Sequence, residues 1–173
     1  MRGKPLLPGQ QQLSSKFLLD SMILMDYERS HEECISWWEN YVLNGCKMYI
    51  SAISLMELYK KVANSHGPRS RVLQELDERV ESMMRDKKIY RILPVNKRIA
   101  KKAYELFRDY CLHYTPPQER CRMEALICDM FIAATALLNG LSLYTFNQKD
   151  FEWITGLQVM KPSYEPSQER RRS

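Results

Sequence analysis

Short apolar runs alternate along this chain with longer amphipathic stretches, and no tight hairpin signal joins one run to the next. Lys16–Leu19, Lys47–Ala52, Lys88–Leu93 and Leu141–Tyr144 have the length and composition of strands, and Leu157–Met160 offers a fifth. Helical spacing marks a turn at Met22–Tyr27 and helices over His31–Leu43 and Ser70–Arg85. Further helices run from an N-cap at Ser54 through Glu57 to about Val62, from an Asn96 cap to about His113, and from about Glu119 to Leu138. Asn44-Gly45, Gly67-Pro68, Pro94 and Tyr114–Pro117 supply the breaks. Strands that follow one another through helices pair in parallel and carry those helices on their faces. The expected fold is a three-layer α/β/α sandwich with a central, mainly parallel sheet.

With 173 residues the chain suits one domain with a real core. That domain is expected over residues 16–164, after a flexible arm at 1–15 and before a flexible basic tail at 165–173 that carries Arg170-Arg171-Arg172. The net charge of +5 permits a polyanionic partner without requiring one. Cys34, Cys46, Cys111, Cys121 and Cys128 are odd in number, lack Cys-x-x-Cys spacing, and read as reduced thiols of a cytoplasmic protein. His31, His66 and His113 are scattered, which argues against a zinc site. No secretory leader is expected, and the apolar run near residue 129 is shorter than the roughly 20 residues a membrane span needs.

Asp129 is the only formally charged residue between Ala125 and Gln148. Its surroundings, Ala125-Leu-Ile-Cys-Asp-Met-Phe-Ile-Ala-Ala-Thr-Ala-Leu-Leu138, otherwise read as buried helix. A carboxylate there has to be paired, hydrogen-bonded, metal-bound or neutralised, because a bare buried charge costs too much. Three further acids fall where strands end: Asp20 after the first, Glu57 in the first helical turn after the second, and Asp150 after the fourth, with Thr145 and Asn147. Ligands of open parallel sheets bind beyond the carboxyl ends of the strands. Converging carboxylates there would suit a hard divalent cation. Taken singly, each acid has a plainer account. Asp20 suits an N-cap before Met22. Glu57 has Lys60 and Lys61 at i+3 and i+4. Asp150 suits a turn cap, and a distant Lys or Arg would satisfy Asp129.

The residues around these acids resemble the PIN-domain ribonucleases, most closely the VapC-type toxins of toxin–antitoxin pairs. Four segments carry the resemblance in order: Phe17-Leu-Leu-Asp20-Ser-Met-Ile-Leu-Met-Asp26, Ile50-Ser-Ala-Ile-Ser-Leu-Met-Glu57-Leu, Asp129-Met-Phe-Ile-Ala-Ala-Thr-Ala-Leu137 and Leu143-Tyr-Thr-Phe-Asn147-Gln-Lys-Asp150-Phe151. It covers about residues 16–164 and departs from the family at Met22, where a small polar residue is common, and at Tyr59-Lys60-Lys61, which is bulkier and more basic.

The resemblance implies that Asp20, Glu57, Asp129 and Asp150 hold Mg2+ or Mn2+ as the catalytic site. Ser21, Thr145 and Asn147 would support it from behind. The implied activity is hydrolysis of RNA phosphodiester bonds, leaving 5′-phosphate and 3′-hydroxyl ends. Implied partners are an RNA substrate, a cognate antitoxin protein and a second copy in a homodimer, with no membrane. Lys60, Lys61, Arg69 and Arg71 follow Glu57 and are candidate RNA contacts, although a solvated helix face explains them equally well. Tyr27, Trp37 and Trp38 are candidates for base stacking, with core packing the better account of the tryptophans. The rival reading is a non-catalytic PIN-like module that binds RNA or protein.

Overall fold

The computed structural model describes residues 16–68, 70–114 and 118–167. Strands β1 (Lys16–Leu19), β2 (Lys47–Ser51), β3 (Arg91–Leu93), β4 (Ser142–Tyr144) and β5 (Val159–Met160) form one sheet in the order β3-β2-β1-β4-β5. Every pairing is parallel. Six helices connect and cover them: α1 (Ser21–Glu28), α2 (Glu32–Leu43), α3 (Ala52–His66), α4 (Arg71–Arg85), α5 (Lys97–His113) and α6 (Arg120–Asn139). No helix among the described residues is long and apolar enough to cross a membrane.

Side chains alternate across a strand, so β1 feeds both layers. Phe17 and Leu19 join a core built with Ile23 of α1, Trp38 of α2, Leu58 of α3 and Val80 of α4. Leu18 points the other way and, with Leu143 of β4, packs on Ile99 and Leu106 of α5 and Met130 and Ala133 of α6. The central strands are covered on both sides, which is why they read as continuous apolar runs.

Two boundaries differ from the sequence expectation. The cap of α3 is Ser51, whose hydroxyl accepts from the Ser54 amide at 2.8 Å, so α3 begins three residues earlier than a Ser54 cap would place it. Glu57 is consequently the sixth residue of that helix and not in its first turn. Strand β3 is short because the Lys88 carbonyl accepts from the Trp38 indole at 2.9 Å and the Ile89 amide donates to Met83. Asn96 caps α5 as its position suggests, accepting from the amides of Arg98 and Ile99. Arg69, the N-terminal arm at 1–15 and the triple-arginine end of the tail lie outside the described residues.

The sheet order reverses beside β1, which has β2 on one side and β4 on the other. In open α/β sheets the connections on either side of such a point leave in opposite directions and open a crevice beyond the carboxyl ends of the two strands. Asp20 and Thr145 are the residues that immediately follow β1 and β4.

Candidate active site

Asp20 and Thr145 meet across this switch point. The Thr145 hydroxyl donates to Asp20 Oδ2 at 2.7 Å, and the Asp20 amide donates to the Tyr144 carbonyl at 3.0 Å. Asp20 is also the N-cap of α1: its Oδ1 accepts from the Ser21 amide at 2.7 Å and lies 3.3 Å from the Ser21 hydroxyl. The cap account and the site account of this residue are therefore compatible, because capping uses one carboxylate oxygen. Both Asp20 and Thr145 are buried.

The loop after β4 extends the network. The Asn147 amide donates to the Thr145 hydroxyl at 3.0 Å, and the Asn147 side chain donates to Asp150 in a single 3-10 turn, Gln148–Asp150. Hydrogen bonds thus connect Asp150, Asn147, Thr145 and Asp20 in series. Asp150 is exposed. Burial of its carboxyl raises its pKa, and the Asn147 donor opposes that.

Glu57 projects from α3, with Ser21 and Cys128 as its hydrogen-bonding neighbours. Burial raises its carboxyl above the usual range, the Ser21 donor lowers it, and the Asp20 charge raises it again. The Cys128 thiol and Lys60 are smaller lowering influences. The plain ion pair with Lys60 is thus a minor feature of Glu57. Lys60 Nζ lies 3.4 Å from Glu124 Oε2 instead.

Asp129 is the tenth residue of α6. Met130, Ile132, Ala133, Ala134 and Ala136 are buried around it and fix the helix against the sheet. The carboxyl is pushed up to about 8, first by desolvation and then by the charges of Asp20, Glu57 and Asp150. Its surroundings are mostly protein, although the side chain is only half-buried by accessible area. Every influence on it favours the proton, and none comes from a Lys or Arg. The four acids singled out in the sequence therefore share one electrostatic field. Among the described residues, no three Asp, Glu, His or Cys side chains close into a ready-made ligand shell. The carboxylates stand apart around the crevice, as uncompensated like charges do.

A groove of about 280 Å³ opens beside Glu57, lined by Ser21, Met22, Met56, Lys60, Lys61 and Cys128 among others. Met22, the departure from the family pattern, gives that wall an apolar side chain. Of the four candidate RNA contacts, Lys60 and Lys61 line this groove. Arg71 opens α4 and pairs with Glu75 at 3.0 Å, and Arg69 lies outside the described residues. Trp37 and Trp38 are buried in the core, so they offer no stacking face, and Tyr27 packs against Trp38 with ring centroids 4.6 Å apart. The residue missed in the sequence is Cys128, whose thiol is raised to about 11 by burial first and by Glu57 next. Its only sequence signal was adjacency to Asp129.

A parallel five-stranded sheet layered by helices, with acids gathered beyond its switch point, defines an α/β/α protein with an acidic crevice. The PIN domain family model matches residues 17–155, and the chain belongs to that family. One curated relative is ribonuclease VapC1 of Rickettsia felis, 57% identical over 35 residues, a match spanning 20% of this chain and only 26% of that protein. Among solved structures, the DNA-bound VapBC of Salmonella typhimurium has a TM-score of 0.63 at 24% identity, covering 84% of this chain and 97% of that one. A toxin–antitoxin complex from Klebsiella pneumoniae has a TM-score of 0.55 at 25% identity, covering 86% and 98%.

Proposed function

We propose that this protein is a divalent-metal-dependent endoribonuclease and the toxin of a toxin–antitoxin pair, with Asp20, Glu57, Asp129 and Asp150 holding Mg2+ or Mn2+. The observation that carries the reading is Asp129. It is a carboxyl pushed up to about 8 inside a helix, raised by three other carboxylates and opposed by no basic residue. A fold seldom retains such a charge deficit without a ligand that fills it. The donor set is carboxylate oxygen, which fits a hard divalent cation and disfavours softer metals. The relatives named a ribonuclease and a toxin–antitoxin complex set the substrate class and the partner in this reading.

A cation bound there would polarise the scissile phosphate and lower the pKa of an attacking water. The chain's own residues have separate tasks. Asp20, fixed by the Ser21 amide and the Thr145 hydroxyl, presents a carboxylate with little freedom to move. Asn147 holds Asp150 at the exposed rim, where substrate arrives. Lys60 and Lys61 flank the groove beside Glu57 and hold the RNA backbone. A cognate antitoxin, a homodimer and residence in the cytoplasm belong to the same reading. Co-purification with the neighbouring gene product and sedimentation velocity test the first two.

The direct test uses partner-free protein, Mn2+ and a panel of tRNA, rRNA fragments and mRNA. Wild type is expected to cleave at least one of them, and Asp129→Asn to lose about 100-fold or more of that rate, the order set by removing a group that stabilises the transition state. Equal cleavage by wild type and Asp129→Asn would sink the nuclease reading. Tight RNA binding without cutting would move the protein to the non-catalytic module.

A further inference from the structure

Glu57 differs from the other three acids in how it is held. Asp20 is fixed by a backbone amide and a buried threonine, and Asp150 by a side-chain amide. Glu57 lies on the face of α3 that meets α6 and is approached by two neutral donors, the Ser21 hydroxyl from α1 and the Cys128 thiol from α6. Ser21 Oγ also lies 3.3 Å from Asp20 Oδ1. A hydroxyl has one proton, so Ser21 serves one of the two carboxylates at a time. The second donor to Glu57 is then the thiol. Cys128 is free of any disulfide, half-buried, and lines the same groove as Glu57, Ser21 and Lys60. An unperturbed cysteine keeps its proton at neutral pH, so an S–H is present to donate.

We propose that Cys128 is a positioning residue for Glu57: its thiol, one residue ahead of Asp129 on α6, holds the Glu57 carboxylate toward the other three acids and so raises the affinity of the site for a divalent cation. The proposal rests on the metal-binding reading above. Without the thiol, Glu57 retains Ser21, which then alternates between Glu57 and Asp20. The carboxylate gains rotamer freedom, and that freedom has to be given up again when the cation binds. The identity of the side chain at 128 thereby tunes a residue on a different helix, while leaving the donor set itself unchanged.

The experiment is calorimetric titration of Mn2+ alone into metal-free protein, with thermal unfolding of every variant as the control for folding. Wild type is expected to bind. Cys128→Ala should weaken binding about 10-fold, the lower end of what losing an outer-shell hydrogen bond to a metal ligand costs. Cys128→Ser, which keeps a donor at nearly the same place, should stay within about threefold of wild type. In a Glu57→Gln background, Cys128→Ala should have no further effect on Mn2+ affinity, because the residue acts only through Glu57. A folded Cys128→Ala that binds as tightly as wild type overturns the proposal and leaves the metal reading intact. Equal weakening by Cys128→Ala in both backgrounds also overturns it, since the loss would then be general. Wild type that binds no Mn2+ overturns the metal reading itself and the proposal with it.

Discussion

At the scale of single residues, the carboxyl of Asp129 ties the stability of the metal-free protein to pH. An aspartate in the unfolded chain ionises near about 3.9, and in the folded protein Asp129 does so at about 8. Between those values the folded state holds a proton that the unfolded state has released. Stability at this residue is therefore fully present below about pH 4, falls as pH rises toward 8, and levels off above it. Glu57 and Asp150 are also raised and add to the loss with the same sign. Asp129→Asn keeps the shape and cannot ionise. It should stabilise the metal-free protein at pH 8 by roughly 2–4 kcal/mol more than at pH 5, less than the full linkage value because water reaches the crevice. Urea unfolding of wild type and variant at both pH values checks this. An equal difference at pH 5 and pH 8 would mean that Asp129 is not held protonated.

At the scale of elements, helix α3 decides where Glu57 points, and its start is set by one hydroxyl. Ser51 Oγ accepts from the Ser54 amide at 2.8 Å and shares a second hydrogen bond of 2.8 Å with the Ser54 hydroxyl, and both residues are fully buried. Ser51→Ala should cost about 1–2 kcal/mol by urea unfolding, because it removes the cap and leaves a buried hydroxyl with one partner fewer. Ser54→Ala keeps the capping bond and should cost less. If the order were reversed, Ser54 would be the true cap. That pair of serines shows what the sequence could and could not carry. Both fit the cap position by type, and the choice depends on where β2 stops pairing with β3, a tertiary fact. Local signals worked where one residue had no competitor, as with Asn96 before α5 and Gly140 after α6, where a φ of 61° suits glycine. The candidate acids were legible through their neighbours: Asp129 through its apolar helix, and Asp150 through the turn that holds Asn147. Cys128 was not, because its partner lies on α3, and no spacing along α6 encodes a contact between helices.

At the scale of the whole molecule, the segment after β5 binds the loop of the crevice to the opposite end of the helical layer. The Thr145 amide donates to the Met160 carbonyl at 3.0 Å, and the chain then crosses to α1 and α2. Tyr164 is buried there, with ring centroids 5.1 Å from Phe146, 5.7 Å from Trp37 and 5.6 Å from His31. Asp26 of α1 is fully buried, and it accepts from the Ser167 hydroxyl at 2.9 Å and the Tyr164 hydroxyl at 3.5 Å. Phe146 stands between Thr145 and Asn147, so the edge-on contact of Tyr164 with Phe146 restrains the loop that orients Asp20 and Asp150. Tyr164→Ala removes the ring, and the aromatic cluster collapses only in part around the space left. The expected cost is about 3–5 kcal/mol, the range for deleting a buried aromatic side chain. Tyr164→Phe keeps the ring and gives up one long hydrogen bond, which should cost about 1 kcal/mol or less. The same ordering should hold for Mn2+ affinity measured by calorimetry well below the unfolding midpoint. Tyr164→Ala should loosen the 145–147 loop and weaken binding, while Tyr164→Phe stays near wild type. Full stability in Tyr164→Ala, or weakened Mn2+ binding in Tyr164→Phe alone, would place the coupling in the hydroxyl to Asp26 and not in the ring on Phe146.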